Sequence, residues 1–124
     1  MKDNNAILYV DDEIINLRVF EISLKKKYRI ITASPGLDAL QVLQADDNID
    51  IVVSDMKMPG MNGIEFISEA KKRHGHLKFF ILTGFEINED ILQALKSGLI
   101  LKYFRKPIDI KDLTHTLDEI RNAS

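Results

Sequence analysis

The 124-residue sequence has no cysteine and no tryptophan, only three prolines and six glycines, and no long apolar run. Without cysteine, disulfides, thiolate zinc sites and cysteine nucleophiles are all excluded. That absence also suits a reducing compartment. Residues 1–5 are polar, and the apolar run Ala6–Val10 that follows is broken at once by Asp11 and Asp12. This is too short for a signal-peptide core or a membrane span. A surplus of either charge is missing too. Seventeen Lys and Arg face nineteen Asp and Glu, for a formal net charge of −2. A surface that grips phosphate backbones needs a clustered basic excess, so no nucleic-acid partner is expected, and no membrane partner either. Repeats, low-complexity segments and Gly/Ser linkers are also lacking. The expectation is one cytoplasmic domain over residues 1–124.

Short apolar runs alternate with longer amphipathic stretches. The runs are Ala6–Val10, Tyr28–Thr32, Ile49–Val53, Leu77–Leu82 and Ile100–Phe104. Several are almost continuously apolar, as in strands covered on both faces of a parallel sheet. Helical spacing marks the intervals. Ile14, Leu17, Phe20 and Leu24 form one stripe ahead of Lys25–Lys27, and Leu37, Leu40, Val42 and Leu43 suggest a second helix. Ile64, Phe66, Ile67 and Ala70 suggest a third, and Ile91, Leu92 and Leu95 a fourth that closes at Gly98. Ile110, Leu113, Leu117 and Ile120 give the last. Five strands alternating with five helices predict an α/β fold. It is a single doubly wound parallel sheet with helices on both faces, in the flavodoxin-like order 2-1-3-4-5.

The polar residues that follow the apolar runs are Asp11-Asp12-Glu13, Ser54-Asp55, Thr83-Gly84 and Arg105-Lys106-Pro107. In an open parallel sheet, ligands bind at the carboxyl ends of the strands where the order reverses. Strands one and three adjoin there, so Asp11, Asp12 and Asp55 share a cleft that Thr83 and Lys106 close. Three crowded carboxylates resist ionising unless compensated. Mg2+, a hard cation that takes oxygen ligands and keeps several waters, meets that need. A lysine and a hydroxyl suit phosphoryl oxygens, and an aspartate can itself be the nucleophile. Each residue also has an ordinary structural use, such as helix capping for Asp11-Asp12 or a turn for Met58–Gly63. Together they read as phosphoryl transfer onto a carboxylate. His74, His76 and His115 fall outside the cleft, and the methionines Met56, Met58 and Met61 are expected to pack beneath it.

Asp11-Asp12, then the Asp55–Gly63 stretch Asp-Met-Lys-Met-Pro-Gly-Met-Asn-Gly, then Leu82-Thr83-Gly84, then Lys106-Pro107 resemble the response-regulator receiver family of bacterial two-component signalling. The likeness runs over essentially the whole chain. It implies that Asp55 is the phosphoacceptor, supplied by a sensor histidine kinase or a phosphotransfer protein. Asp12 would then ligate Mg2+ directly, Asp11 mainly through water, and the Lys57 backbone carbonyl would complete the protein ligands. Thr83 and Lys106 would contact the phosphoryl group. Tyr103 would be the aromatic whose rotation accompanies Thr83. The Lys106–Pro107 bond would be cis. The expected readout face is helix four, strand five and helix five, including Ile91, Tyr103 and Leu113, and it would act on a downstream output domain or protein. Such a domain is not an enzyme beyond its own phosphorylation and dephosphorylation. Lys57 is further expected to govern water access, and Phe85 to shape the partner surface. Three other readings are weaker. An unphosphorylated receiver-like interaction module would not need the intact polar set. A flavin-binding protein would carry a phosphate loop after strand one, and an aspartyl-phosphate phosphatase would carry an acid at position 57.

Overall fold

The computed structural model describes residues 5–84 and 87–123. Its strands are β1 (Ala6–Val10), β2 (Arg29–Ala33), β3 (Ile49–Asp55), β4 (Lys78–Thr83) and β5 (Lys102–Arg105). The helices are α1 (Ile14–Leu24), α2 (Leu37–Ala45), α3 (Gly63–Arg73), α4 (Glu89–Ser97) and α5 (Ile110–Ala123). The five strands form one sheet in the order β2-β1-β3-β4-β5, and every pairing is parallel. The expected fold class and strand order are therefore met.

Residue type explains which strands are central. All five residues of β1 are buried, as are six of the seven in β3, because both faces are covered. The edge strands β2 and β5 expose Arg29 and Arg105 and are buried at only one position each. Alternate residues feed two separate cores. Leu8, Val10, Val52, Phe79 and Ile81 pack on the side of Ala39 and Leu43 from α2, Phe66 and Ile67 from α3, and Ile91 from α4. Ile7, Ile51, Val53, Phe80 and Leu82 pack on the side of Phe20 and Leu24 from α1 and Leu113 and Leu117 from α5. Full burial of each such side chain stabilises the fold by roughly 1.5–3 kcal/mol before the entropy of ordering is counted.

Several expectations shift. Ile14, expected on the apolar stripe of α1, is 72% exposed, whereas Phe20 and Leu24 carry the contact with the sheet. Leu37 and Leu92 are likewise exposed at the surface. Ile100 and Leu101 precede β5 rather than open it. The Ile100 N–H donates to the Ala94 carbonyl, so this residue finishes the turn after α4. That turn contains Gly98 at φ 80°, the left-handed C-cap read from the sequence. Ile91 and Leu113, expected on the readout face, lie in the core at 0% and 1% exposure. Of the three residues expected on that face, only Tyr103 reaches solvent, half-buried. Phe85 lies outside the described residues.

The start of α3 is tied closely to the end of β3. Asn62 accepts from the Glu65 N–H at 2.9 Å, and Glu65 accepts from the Asn62 N–H at 2.8 Å, a reciprocal capping box. The Gly63 N–H donates to the Met56 carbonyl at 2.8 Å. At this approach there is no room for a side chain. A Cβ on Gly63 would stand 2.5 Å from the Asp55 carbonyl oxygen and 2.7 Å from Ile81 Cδ1. Gly63→Ala is expected to lower stability by about 1–3 kcal/mol in urea unfolding, as overpacking does. Gly75→Ala, whose nearest neighbour would be the Lys71 carbonyl at an ordinary 3.6 Å, should change it by less than about 0.5 kcal/mol. Equal stability of the two variants would contradict the close-approach argument.

Candidate functional site

The site assembles at the carboxyl ends of β1, β3, β4 and β5. Parallel register sets it: Asp55 pairs with Leu82, and Thr83 pairs with Arg105. Asp55, Thr83 and Arg105 are consequently the last residues of their strands, with Ser54 just inside β3, rather than the first of the loops. Ladder pairing extends further than the apolar runs suggested, so Asp55 and Thr83 stand on sheet backbone, while Asp11, Asp12 and Lys106 follow directly on strand ends.

Asp11, Asp12 and Asp55 each offer a carboxylate oxygen, and these oxygens lie within 4.8 Å of one another. Asp11 is fully buried and Asp55 is 4% exposed, while Asp12 is exposed to solvent. Lys106 Nζ lies 2.8 Å from Asp55 Oδ1. The lysine is held there by its backbone, and its stem runs past Gly84. Its N–H donates to the Thr83 carbonyl at 2.8 Å, and its Cδ would stand 3.5 Å from a Cβ on Gly84. The Lys106–Pro107 bond is cis, as the resemblance implied. Thr83 is buried at 1% exposure. A cleft of about 550 Å³ opens over these groups, lined by Asp12, Glu13, Asp55, Lys57, Met58 and Lys106 among others. Thr83 is not part of its lining, nor is Tyr103. Tyr103 pairs with Ile81 while Thr83 pairs with Arg105, so Thr83 and Tyr103 project from the same face of the sheet. Met56 and Met58 are buried beneath the loop, and Met61 packs against the same core.

The electrostatics follow from crowding. Burial raises the Asp55 carboxyl above its ordinary range, Lys106 pulls it back, and the charges of Asp11 and Asp12 push it up again. One lysine does not fully offset three carboxylates. A divalent cation fits this donor set, since oxygen ligands of this kind and spacing are what a hard ion takes.

Two contributions escaped the sequence reading. The Tyr9 hydroxyl donates to Asp11 Oδ2 at 2.6 Å. Burial first, then this hydrogen bond, raises the phenol far above its usual range, so that it remains a donor. Tyr9 had looked like one more strand residue, although its place two before Asp11 put both side chains on one side of the chain. The second is the Asn62–Glu65 capping box, whose spacing was legible in the sequence. Asp11 also accepts from the Glu13 N–H at 3.0 Å, but the helix-capping use open to Asp11-Asp12 is not met, since the N-cap of α1 is Glu13 and it makes no side-chain capping bond. The histidines stand apart: His74 and His76 line a separate pocket with Asp46 and Asp47, and His115 pairs with Glu119 on the surface of α5.

Fold and site define a doubly wound α/β domain with an acidic, lysine-closed cleft at its switch point. The response regulator receiver domain model matches residues 7–118, and the chain belongs to that family. The family is one of signalling phosphoacceptor domains rather than conventional enzymes. The chain is 36% identical over 121 residues to the sporulation initiation phosphotransferase F of Bacillus subtilis, covering 97% of this chain and 90% of that protein. It is 29% identical over 124 residues to the hydrogenase transcriptional regulatory protein HoxA of Cupriavidus necator, but spans only 25% of its length. Against a receiver domain crystal structure from Clostridium thermocellum the TM-score is 0.88 at 31% identity, covering 96% of this chain and 95% of that one.

A carboxyl whose pKa is raised by folding binds its proton more tightly in the native state. Its stabilising contribution is present below the unfolded value and is lost as pH rises through the folded one. In chelator at about pH 7, Asp55→Asn should therefore unfold at higher urea than the wild type, with the gap shrinking toward about pH 4. A variant less stable than wild type at neutral pH would show that Lys106 more than offsets the burial of the charge.

Proposed function

We propose that this receiver domain switches through phosphorylation of Asp55. The observation that carries the reading is the Lys106 ammonium, 2.8 Å from an Asp55 oxygen, at the head of a cleft that also gathers Asp11 and Asp12. An Asp55 oxygen attacks the phosphorus of a phosphohistidine; the new O–P bond forms as the N–P bond breaks, and the imidazole leaves with the electron pair. The donor is a sensor histidine kinase or a phosphotransfer protein. In this reading Lys106 follows the charge onto the phosphoryl oxygens, and Thr83, outside the cleft lining before transfer, moves to donate its hydroxyl. Donors of this kind are each worth about 2.7–4 kcal/mol of barrier.

Asp11, Asp12 and Asp55, with the Lys57 backbone carbonyl, are the residues that would hold Mg2+. When bound, the ion would offset negative charge on the carboxylates and on the incoming phosphoryl oxygens. Asp12 is the exposed member and the direct ligand in this reading; the buried Asp11 acts mainly through water. The whole chain, residues 1–124, serves as one cytoplasmic receiver. Among the described residues no helix is long and apolar enough to cross a membrane.

The transferred group adds about −1.5 to −2 charges at a carboxylate that was already crowded. Its contacts with Thr83 and Lys106 differ from those of the free carboxylate, and that difference biases two arrangements of the surrounding loops. Thr83 and Tyr103 share a sheet face, which supports a coupled movement of the two toward the α4–β5–α5 side. The output domain or protein that reads this side lies downstream.

Titration of the labelled protein with Mg2+, then with beryllofluoride as a phosphoryl mimic, tests the reading. Amide shifts should begin near Asp11, Asp12 and Asp55 with the cation, and spread to Thr83 and Tyr103 only with the mimic. A spectrum that ignores both additions would contradict phosphorylation and favour an unphosphorylated interaction module.

A further inference from the structure

Asp11 is the most deeply buried charge of the cleft, with no exposed surface. A carboxylate so placed needs hydrogen-bond donors, and the terminal torsion of an aspartate is too soft to fix its own orientation. Two donors supply both. The Glu13 backbone N–H reaches Oδ1 at 3.0 Å, and the Tyr9 hydroxyl reaches Oδ2 at 2.6 Å. Each oxygen takes one donor, and a carboxylate keeps about four acceptor sites, so capacity remains on the side facing Asp12 and Asp55.

The phenol is itself held rigidly. Tyr9 is 1% exposed and so is Phe20. Their rings stack with centroids 4.1 Å apart and planes 9° from parallel. The hydroxyl is thus clamped between β1 and α1 and aimed at a single carboxylate oxygen. Nothing in strand formation requires a hydroxyl there, since phenylalanine would fill the same space in this core.

We infer that Tyr9 is a positioning residue for the cation site: its hydroxyl fixes the Asp11 carboxylate in the orientation that lets Asp11, Asp12 and Asp55 share one divalent ion. The inference rests on the reading of these three aspartates as the Mg2+ site. Groups that hold a metal ligand from behind typically contribute 10–100-fold to metal affinity, and the lower end applies here because Asp11 reaches the ion mainly through water. Losing the hydroxyl leaves Oδ2 without that donor and loosens the orientation of the carboxylate, which the Glu13 N–H still holds through Oδ1.

The test is a titration with Mg2+ alone, by calorimetry and amide shifts, on wild type, Tyr9→Phe and Tyr28→Phe. Tyr28 is the control, because its hydroxyl also donates to a carboxylate, that of Asp118, away from the cleft. The Mg2+ Kd of Tyr9→Phe should rise about tenfold while that of Tyr28→Phe stays at the wild-type value, even if both variants melt at lower temperature. A wild-type Kd for Tyr9→Phe overturns the proposal and leaves the cation site standing. No Mg2+ binding by the wild type overturns the cation site itself. If Tyr9→Phe does not fold, the wild type decides: its Tyr9 ring and hydroxyl resonances should shift as Mg2+ saturates, and resonances that stay fixed overturn the proposal.

Discussion

Asp55, nearly buried, pairs at the carboxyl end of β3 with the partly exposed Lys106, 2.8 Å between the charged atoms. Taking the carboxylate out of water costs several kcal/mol, and attraction to the lysine offsets this only in good geometry. Here the compensation is incomplete by construction, since Asp11 and Asp12 raise the negative charge around the same lysine. An arrangement that is poor for stability is well suited to binding cations and receiving a phosphoryl group. The site stores unsatisfied electrostatic demand, which a divalent ion and a transferred phosphoryl group then alter.

The fold exists to hold that conflict in place. β1 and β3 lie side by side because the chain winds outward from them in both directions, first to β2 and later to β4 and β5. Their ends are therefore open, with no crossover passing above them. Gly63 lets α3 abut the Asp55 backbone, and the Thr83 carbonyl anchors the Lys106 backbone. Tyr9 and Phe20 bring α1 into the same assembly. Each functional side chain thus hangs from a strand end or from a loop pinned to one, which limits how far any of them can drift.

Much of this was legible in the sequence. The near-continuous apolar runs of β1 and β3 announced central strands, and the acidic and basic residues behind each run gave the cleft, including the Asp11, Asp12, Asp55 cluster and its lysine. Less visible was anything that depends on which face of an element looks inward. Ile14 and Phe20 are equally plausible core residues by spacing, yet only the second is buried. Ile91 and Leu113 were expected at a surface because apolar helix residues serve both cores and interfaces, and only packing separates the two. Tyr9 was missed because an aromatic in a buried strand is ordinary, and its hydroxyl partner lies two residues away in the chain but is chosen in space.

The central claim is that Asp55, and no other carboxylate of the cluster, takes the phosphoryl group. Acyl phosphates are reduced to alcohols by borohydride, whereas free carboxylates are not, so the modified position is marked permanently. Wild-type protein treated with acetyl phosphate and Mg2+, reduced and then sequenced by tandem mass spectrometry should carry the reduced residue at position 55. The mark at Asp11 or Asp12 instead, or its absence from the whole chain, would contradict the account.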